Sequence, residues 1–248
     1  MDETKKIDRR TFLTGLGVTA AAFGLNACCP MGIGTCHNKL DLVHGNDQSL
    51  YPIYDGEKYV AKDFSYLSQN DKLGLSPAMV SHHLGLYKKY VDKVNQSEAE
   101  MRAGNITEFG MKNLAFSLNG MALHDIYFSN MSTEQSSASK ALSKAIEESY
   151  GSFDSYYRNL TELAGQVTGW SITALNLLNG KLINYATADH SANFPAFIMP
   201  ILALDVYAHA YEMDFGADGK ENYINVFGEI INWDLVSRRY DALMMQFN

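Results

Sequence analysis

Trp170-Ser171-Ile172-Thr173-Ala174-Leu175, then Asn179-Gly180, then Lys181-Leu182-Ile183-Asn184-Tyr185-Ala186, is the stretch that decides the fold class. Two strand-like runs flank an Asn-Gly pair, the strongest short-range hairpin signal. A third apolar run covers 197–206 and ends in Asp205-Val206. Upstream the pattern is helical. Ser76-Pro77 supplies an N-cap and a first-turn proline, and the helix they start is expected to reach Asn95, with Gly85 as its one interruption. Further helices are expected over roughly Thr107 to Ser129, Ala138 to Tyr150, and 220–245. The fold expected is α+β: an N-terminal helical hairpin domain (61–135), then a C-terminal domain (136–248) with a three-stranded antiparallel sheet and flanking helices. Residues 28–60 are polar and Gly-rich and read as a tether.

Hydrophobic residues make up 46% of the 248, and charged residues 19%, which suits a sizeable core and excludes a disordered or fibrous chain. The formal net charge is -8, and no long basic block lies beyond the first ten residues, so nucleic acid is not an expected partner.

Residues 1–27 read as a targeting segment. Asp8-Arg9-Arg10-Thr11-Phe12-Leu13 resembles a twin-arginine export motif, and the Gly/Ala-rich run after it is too short for a membrane span. Leu25-Asn26-Ala27-Cys28 resembles a lipobox, with Cys28 as the lipidated residue; Asn26 is an unusual occupant there, and cleavage with release as a soluble protein is the alternative. The expectation is an exported chain, periplasmic or on the cell surface, that touches membrane only through this anchor. Cys29 and Cys36 are able to pair in an oxidising compartment, a point the sequence leaves open. No cysteine lies among the candidate ligands, which argues against zinc–thiolate chemistry.

Asp205-Val206-Tyr207-Ala208-His209 sets a carboxylate and an imidazole four residues apart, which one helical turn would point the same way. That pair is weak evidence alone. His124 lies inside the apolar run Phe116 to Phe128, and His82-His83 opens a stretch ending in Tyr90-Val91. Three imidazoles and a carboxylate would make a nitrogen/oxygen site suited to iron or manganese.

Several segments, in order, resemble the iron/manganese superoxide dismutases: Met79-Val80-Ser81-His82-His83 with Tyr90-Val91 and Asn95; Asn119-Gly120-Met121-Ala122-Leu123-His124; Tyr150-Gly151-Ser152-Phe153-Asp154; Gly169-Trp170; Asp205 to Tyr211; and Ile231-Asn232-Trp233. The resemblance spans roughly 62–240. It implies one iron or manganese ion per chain, held by His82, His124, Asp205 and His209. His82 is preferred over His83 because the family's ligand stands eight residues before the tyrosine. The implied reaction converts superoxide to dioxygen and hydrogen peroxide, the metal cycling between +3 and +2. Tyr90 is the implied pocket tyrosine. The family's solvent-network glutamine comes from one of two places, here Gly120 or the stretch Thr187-Ala188-Asp189-His190. Glycine at the first resembles the manganese pattern, and His190 at the second is taken as the solvent's partner, leaving iron, manganese or either open. Phe128, Trp170 and Tyr207 are the expected aromatic wall. Lys88 and Lys89 are candidates for guiding an anionic substrate.

Three departures from the family bear on assembly. Ala208 replaces a glutamate that bridges subunits, Glu212 a tyrosine, and Leu86 a histidine that pairs with that tyrosine. They suggest a homodimer with an altered interface, or a monomer. The rival reading from another class is a lipid-anchored metal-binding or redox-sensing protein with little turnover. A ferritin-like di-metal protein would need paired Glu-x-x-His motifs, which the chain lacks.

Overall fold

The computed structural model describes residues 50–245, all within one compact unit. The signal and lipidation expectations, Cys28 included, lie outside the described residues. Residues 50–60, expected to belong to the tether, are folded instead. Strands β1 (Ile53–Tyr54) and β2 (Tyr59–Val60) pair antiparallel. The Asn95 side chain clamps Tyr59 by accepting from its N–H (2.8 Å) and donating to its carbonyl (2.9 Å). These backbone partners come from a distant helix, and so no local pattern announces them.

Helix α1 (Pro77–Arg102) begins where expected, with Ser76 accepting from the Met79 N–H at 3.1 Å. It runs past Asn95 because nothing from Gln96 to Arg102 breaks a helix. Met79, Val80, His83, Leu84, Tyr87, Val91 and Val94 form its buried stripe. Helix α2 (Glu108–Ser129) is capped by Thr107 and returns antiparallel against α1. Its first turns are largely exposed, but every residue from Leu123 to Ser129 is buried. The hairpin's root is therefore the part able to hold a dry site.

Helices α3 (Lys140–Tyr150) and α4 (Phe153–Gln166) follow, each started by a serine cap. The second of these was not anticipated. The sheet has the order β4-β3-β5, with β3 (Trp170–Asn176) central, β4 (Lys181–Thr187) and β5 (Ile198–Asp205). Asn176 pairs with Lys181, so the hairpin loop is Leu177 to Gly180, with Gly180 at φ 69°. Trp170 pairs with Asp205, which sets the last carboxylate of β5 beside the first ring of β3. On the other side, Gly169 lets the start of β3 run close to the end of β4: a Cβ there would lie 2.4 Å from the Thr187 carbonyl oxygen.

Beyond β5 come α5 (Glu212–Phe215), α6 (Lys220–Glu229) and α7 (Trp233–Met244). The single helix expected over 220–245 is thus two. Asn232 breaks it by capping α7, its side chain accepting from the Leu235 N–H at 3.1 Å. Among the described residues, no helix is long and apolar enough to cross a membrane.

Candidate metal centre

Four side chains from four elements converge at the root of the hairpin. His83 comes from α1, His124 from α2, Asp205 from the end of β5, and His209 from the 3-10 turn Ala208–Ala210. One potential ligand atom from each lies within 4.8 Å of all the others. The Nε2 atoms of His83, His209 and His124 stand 3.0, 3.4 and 3.6 Å from a single oxygen, Asp205 Oδ2.

Asp205 and His209 do not share a helical turn, contrary to the sequence expectation. Asp205 ends a strand, and its Oδ1 accepts from the Tyr207 N–H at 2.9 Å. That bond bends the chain so that His209 returns toward the carboxylate. The Asp205 carbonyl accepts from the Tyr223 hydroxyl at 2.7 Å, which fixes the strand end.

His82 is the one expected ligand that the structure places elsewhere. It is exposed, while His83 is buried in the cluster. The cause is helical phase. On an unbroken α-helix a separation of seven residues returns within about 20° of the same face, whereas eight overshoots by about 80°. α1 has no break between Pro77 and Arg102, so the histidine sharing a face with Tyr90 is His83. The family's eight-residue spacing does not transfer to this helix.

The donor set fits a cation. His124 Nδ1 lies 2.6 Å from the Gly120 carbonyl, which puts the ring proton on Nδ1 and leaves Nε2 as a lone pair aimed inward. His124 Nε2 and His209 Nε2 are buried without a hydrogen-bond partner. One carboxylate oxygen cannot satisfy three facing imidazoles, and buried polar atoms left unpaired are costly. Burial lowers the pKa of His83 and takes that of His124 well below the ordinary value. Neutral imidazoles are the form that binds metal. Burial alone would raise the Asp205 carboxyl, but the imidazoles of His209 and His83 outweigh it and keep the group ionised.

Around the cluster, His190 stands with Tyr90 and Phe116, at ring distances of 4.8 and 4.7 Å. Neither His190 nitrogen has a hydrogen-bond partner, and neither does the Trp170 Nε1–H. Such a group of donors and acceptors suits solvent or a small polar substrate. Burial lowers His190 to about 4, so its ring is neutral at pH 7. Gly120 makes room for this arrangement: a Cβ there would lie 2.8 Å from both His190 Nδ1 and Tyr90 Cδ1.

A family model for the iron/manganese superoxide dismutases, C-terminal domain, matches residues 138–239. A relative named superoxide dismutase (Mn) from Mycolicibacterium smegmatis is 31% identical over 170 residues, covering 65% of this chain and 82% of the relative. The chain belongs to the iron/manganese superoxide dismutase family. A second relative, superoxide dismutase (Mn) from Mycolicibacterium fortuitum, is 31% identical and covers 67% of this chain and 84% of its own length. A third, superoxide dismutase (Fe) from Aquifex pyrophilus, is 27% identical over 73% of this chain and 92% of its own. Relatives named for each metal match, consistent with a donor set suited to either.

The other family-based expectations fall at or near the pocket. The rings of Phe128 and Trp170 lie 6.3 and 5.0 Å from that of His124, and Tyr207 stacks on His209 at 5.2 Å. Lys88 and Lys89 are both exposed. Lys93, which the sequence reading passed over, holds its ammonium 5.7 Å from the Tyr90 ring centroid. Ala208 and Glu212 are exposed, and the His209 side chain retains 25% exposure. Sequence reasoning also missed a buried ion pair beside the site, Lys62 Nζ to Asp125 Oδ1 at 2.7 Å. An aspartate directly after a candidate ligand inside an apolar run was the available signal.

Proposed function

We propose that the chain is a superoxide dismutase whose single iron or manganese ion is held by His83, His124, His209 and Asp205. The observation that carries this reading is the convergence of three imidazoles on one buried carboxylate oxygen, with orphaned nitrogens, in a member of this family. The bound ion supplies a one-electron couple between +3 and +2, so that one superoxide gives up an electron as dioxygen and a second takes it up, with two protons, as hydrogen peroxide.

The chain's own residues do the rest. The Asp205 carboxylate offsets part of the ion's charge and favours the oxidised state. Phe128, Trp170 and Tyr207 keep the pocket apolar, which strengthens each charge inside it. Tyr90 and His190 hold protons at the solvent side: the phenol keeps its proton because burial and the Asp205 charge raise its pKa, and the neutral imidazole has one donor and one acceptor nitrogen for a relay. Lys93, over the Tyr90 ring, offers a positive charge to an incoming anion on a chain of net negative charge.

Export through a twin-arginine signal, with lipidation at Cys28, remains the proposed route to the periplasm or cell surface. The proposed assembly is a homodimer with an altered interface, its rewritten positions being the half-buried Leu86 and the exposed Ala208 and Glu212 beside the part-exposed His209.

The test is purification of the exported protein, metal analysis, and superoxide consumption by iron- and manganese-loaded forms. Dismutation by at least one form is expected. Full occupancy without dismutation by either would sink the enzyme reading and leave a metal-binding or sensing protein. Mass spectrometry of the processed N-terminus checks the anchor, and cleavage anywhere but before Cys28 removes it.

A further inference from the structure

A second buried polar cluster lies next to the metal centre, outside the machinery described above. Asp125 follows His124 on α2, about 100° further round the helix. Tyr87 lies four residues after His83 on α1 and shares its buried stripe. The Tyr87 hydroxyl donates to Asp125 Oδ2 at 3.0 Å, and Lys62 Nζ donates to the other carboxylate oxygen, Oδ1, at 2.7 Å. Tyr87 also accepts from the Lys62 backbone N–H at 3.1 Å. Tyr87 and Asp125 are both fully buried. The ring of Phe128 lies between the clusters, 6.1 Å from Tyr87 and 5.0 Å from His83.

We propose that Tyr87 and Asp125, with Lys62 neutralising the carboxylate, form a buried bridge between α1 and α2 that positions His83 against His124 and so sets how tightly the centre holds its metal. The geometry favours positioning over simple packing. His83 and His124 sit on different helices, and the backbone hydrogen bonds of each helix are internal to it, so helix formation alone does not fix the distance between the two rings. The Tyr87–Asp125 bond crosses the same helix pair one turn along α1 from His83 and one residue along α2 from His124. A sliding or splaying of the helices must break it. Tyr87 and Asp125 are positioning residues: neither approaches the reacting atoms, and each acts through a ligand histidine.

This inference rests on the metal-site reading, and the test separates the two. Manganese and iron affinities of the purified full chain are measured by competition with a chelator, and the loaded forms are recorded by electron paramagnetic resonance and visible absorption. Tyr87→Phe keeps the ring and deletes only the hydroxyl. It is expected to weaken metal binding on the order of tenfold, as loss of outer-shell support commonly does, and to change the spectrum of the bound ion. The double variant Lys62→Met with Asp125→Asn removes both charges but keeps an acceptor for Tyr87. Its affinity and spectrum are expected to stay near wild type. A merely structural role predicts that Tyr87→Phe lowers the melting temperature with affinity and spectrum unchanged, and that result overturns the bridge. Loss of affinity in the double variant equal to that in Tyr87→Phe also overturns it, because charge and not the cross-helix bond would then be responsible. A wild-type chain that takes up neither metal removes the metal-site reading itself, and the bridge with it.

Discussion

Two buried polar clusters share the root of the helical hairpin, and they are built in opposite ways. In the cluster of Lys62, Tyr87, Asp125, Ser129 and Arg239, polar groups find partners within the chain. Ser129 Oγ donates to the Asp125 carbonyl at 2.6 Å, and the Arg239 guanidinium donates to Ser129, to the Leu50 carbonyl at 2.6 Å and to the Ile201 carbonyl at 3.2 Å. In the cluster of His83, His124, Asp205 and His209, three imidazole nitrogens face one carboxylate oxygen: His83 Nε2 hydrogen-bonds to it at 3.0 Å, and the other two are orphaned. The first is a scaffold complete without any addition, and the second has donors in excess of anything the chain can offer them. Burying either carries a similar desolvation cost, so the difference in internal satisfaction, rather than burial, marks the functional cluster.

The contrast can be broken most severely at the starved cluster. His83→Ala is expected to abolish stoichiometric metal uptake, whereas His82→Ala leaves it at the wild-type level; elemental analysis of the purified variants reads both. Equal metal loss in the two would mean that the helical phase argument chose the wrong histidine.

The satisfied cluster is expected to respond in stability instead. Lys62→Met leaves the Asp125 carboxylate buried with its ion pair removed, at a cost of about 3 kcal/mol, seen as a lower midpoint in denaturant unfolding. Burial already pushes the Asp125 pKa up, opposed chiefly by Lys62, so this variant should lose stability more steeply as pH rises. A midpoint within experimental error of wild type would show that the pair is not a structural element.

Acid should act on the histidines of the pocket. His190 has a folded pKa of about 4 against an ordinary value near 6.5. Between those values the unfolded chain binds more protons than the folded one. Stability from this residue is therefore complete above pH 6.5 and is lost as pH falls toward 4, on the order of 3 kcal/mol in the metal-free protein. His190→Gln should flatten that part of the stability curve; an unaltered slope would show that His190 is not buried in its neutral form.

The smallest effect is expected at Gly120. The added methyl of Gly120→Ala meets both His190 and Tyr90, and overpacking there should cost about 1 kcal/mol while shifting the pH dependence of superoxide consumption. Wild-type stability and pH profile together would mean that the two rings have slack to move.

Much of the architecture was legible in the chain. The Asn179-Gly180 hairpin, the Ser76-Pro77 start and the apolar run into Asp205 each carry local signals, and they appear as β3–β4, α1 and β5. Legibility failed where a partner is remote. Residues 50–60 fold because Asn95 and Arg239 reach them, and Lys62 meets an aspartate 63 positions away. The Asp205–His209 spacing suited a helix as well as the strand end and tight turn that form; the pairing of Asp205 with Trp170, the Tyr223 hydroxyl on its carbonyl and the Tyr207 N–H on its carboxylate all favour the second, and all but the last come from remote residues.

By itself the sequence determined the chemistry of this protein: three histidines and an aspartate in a set suited to iron or manganese, on an α+β frame, with Tyr90 and His190 at hand. Only the tertiary structure decided which of two adjacent histidines joins that set. Residue order fixes which groups exist and the phase at which a helix presents them, but which phase is buried depends on the surface that α1 packs against. That surface, made by α2 and the end of β5, takes in His83 and leaves His82 in solvent.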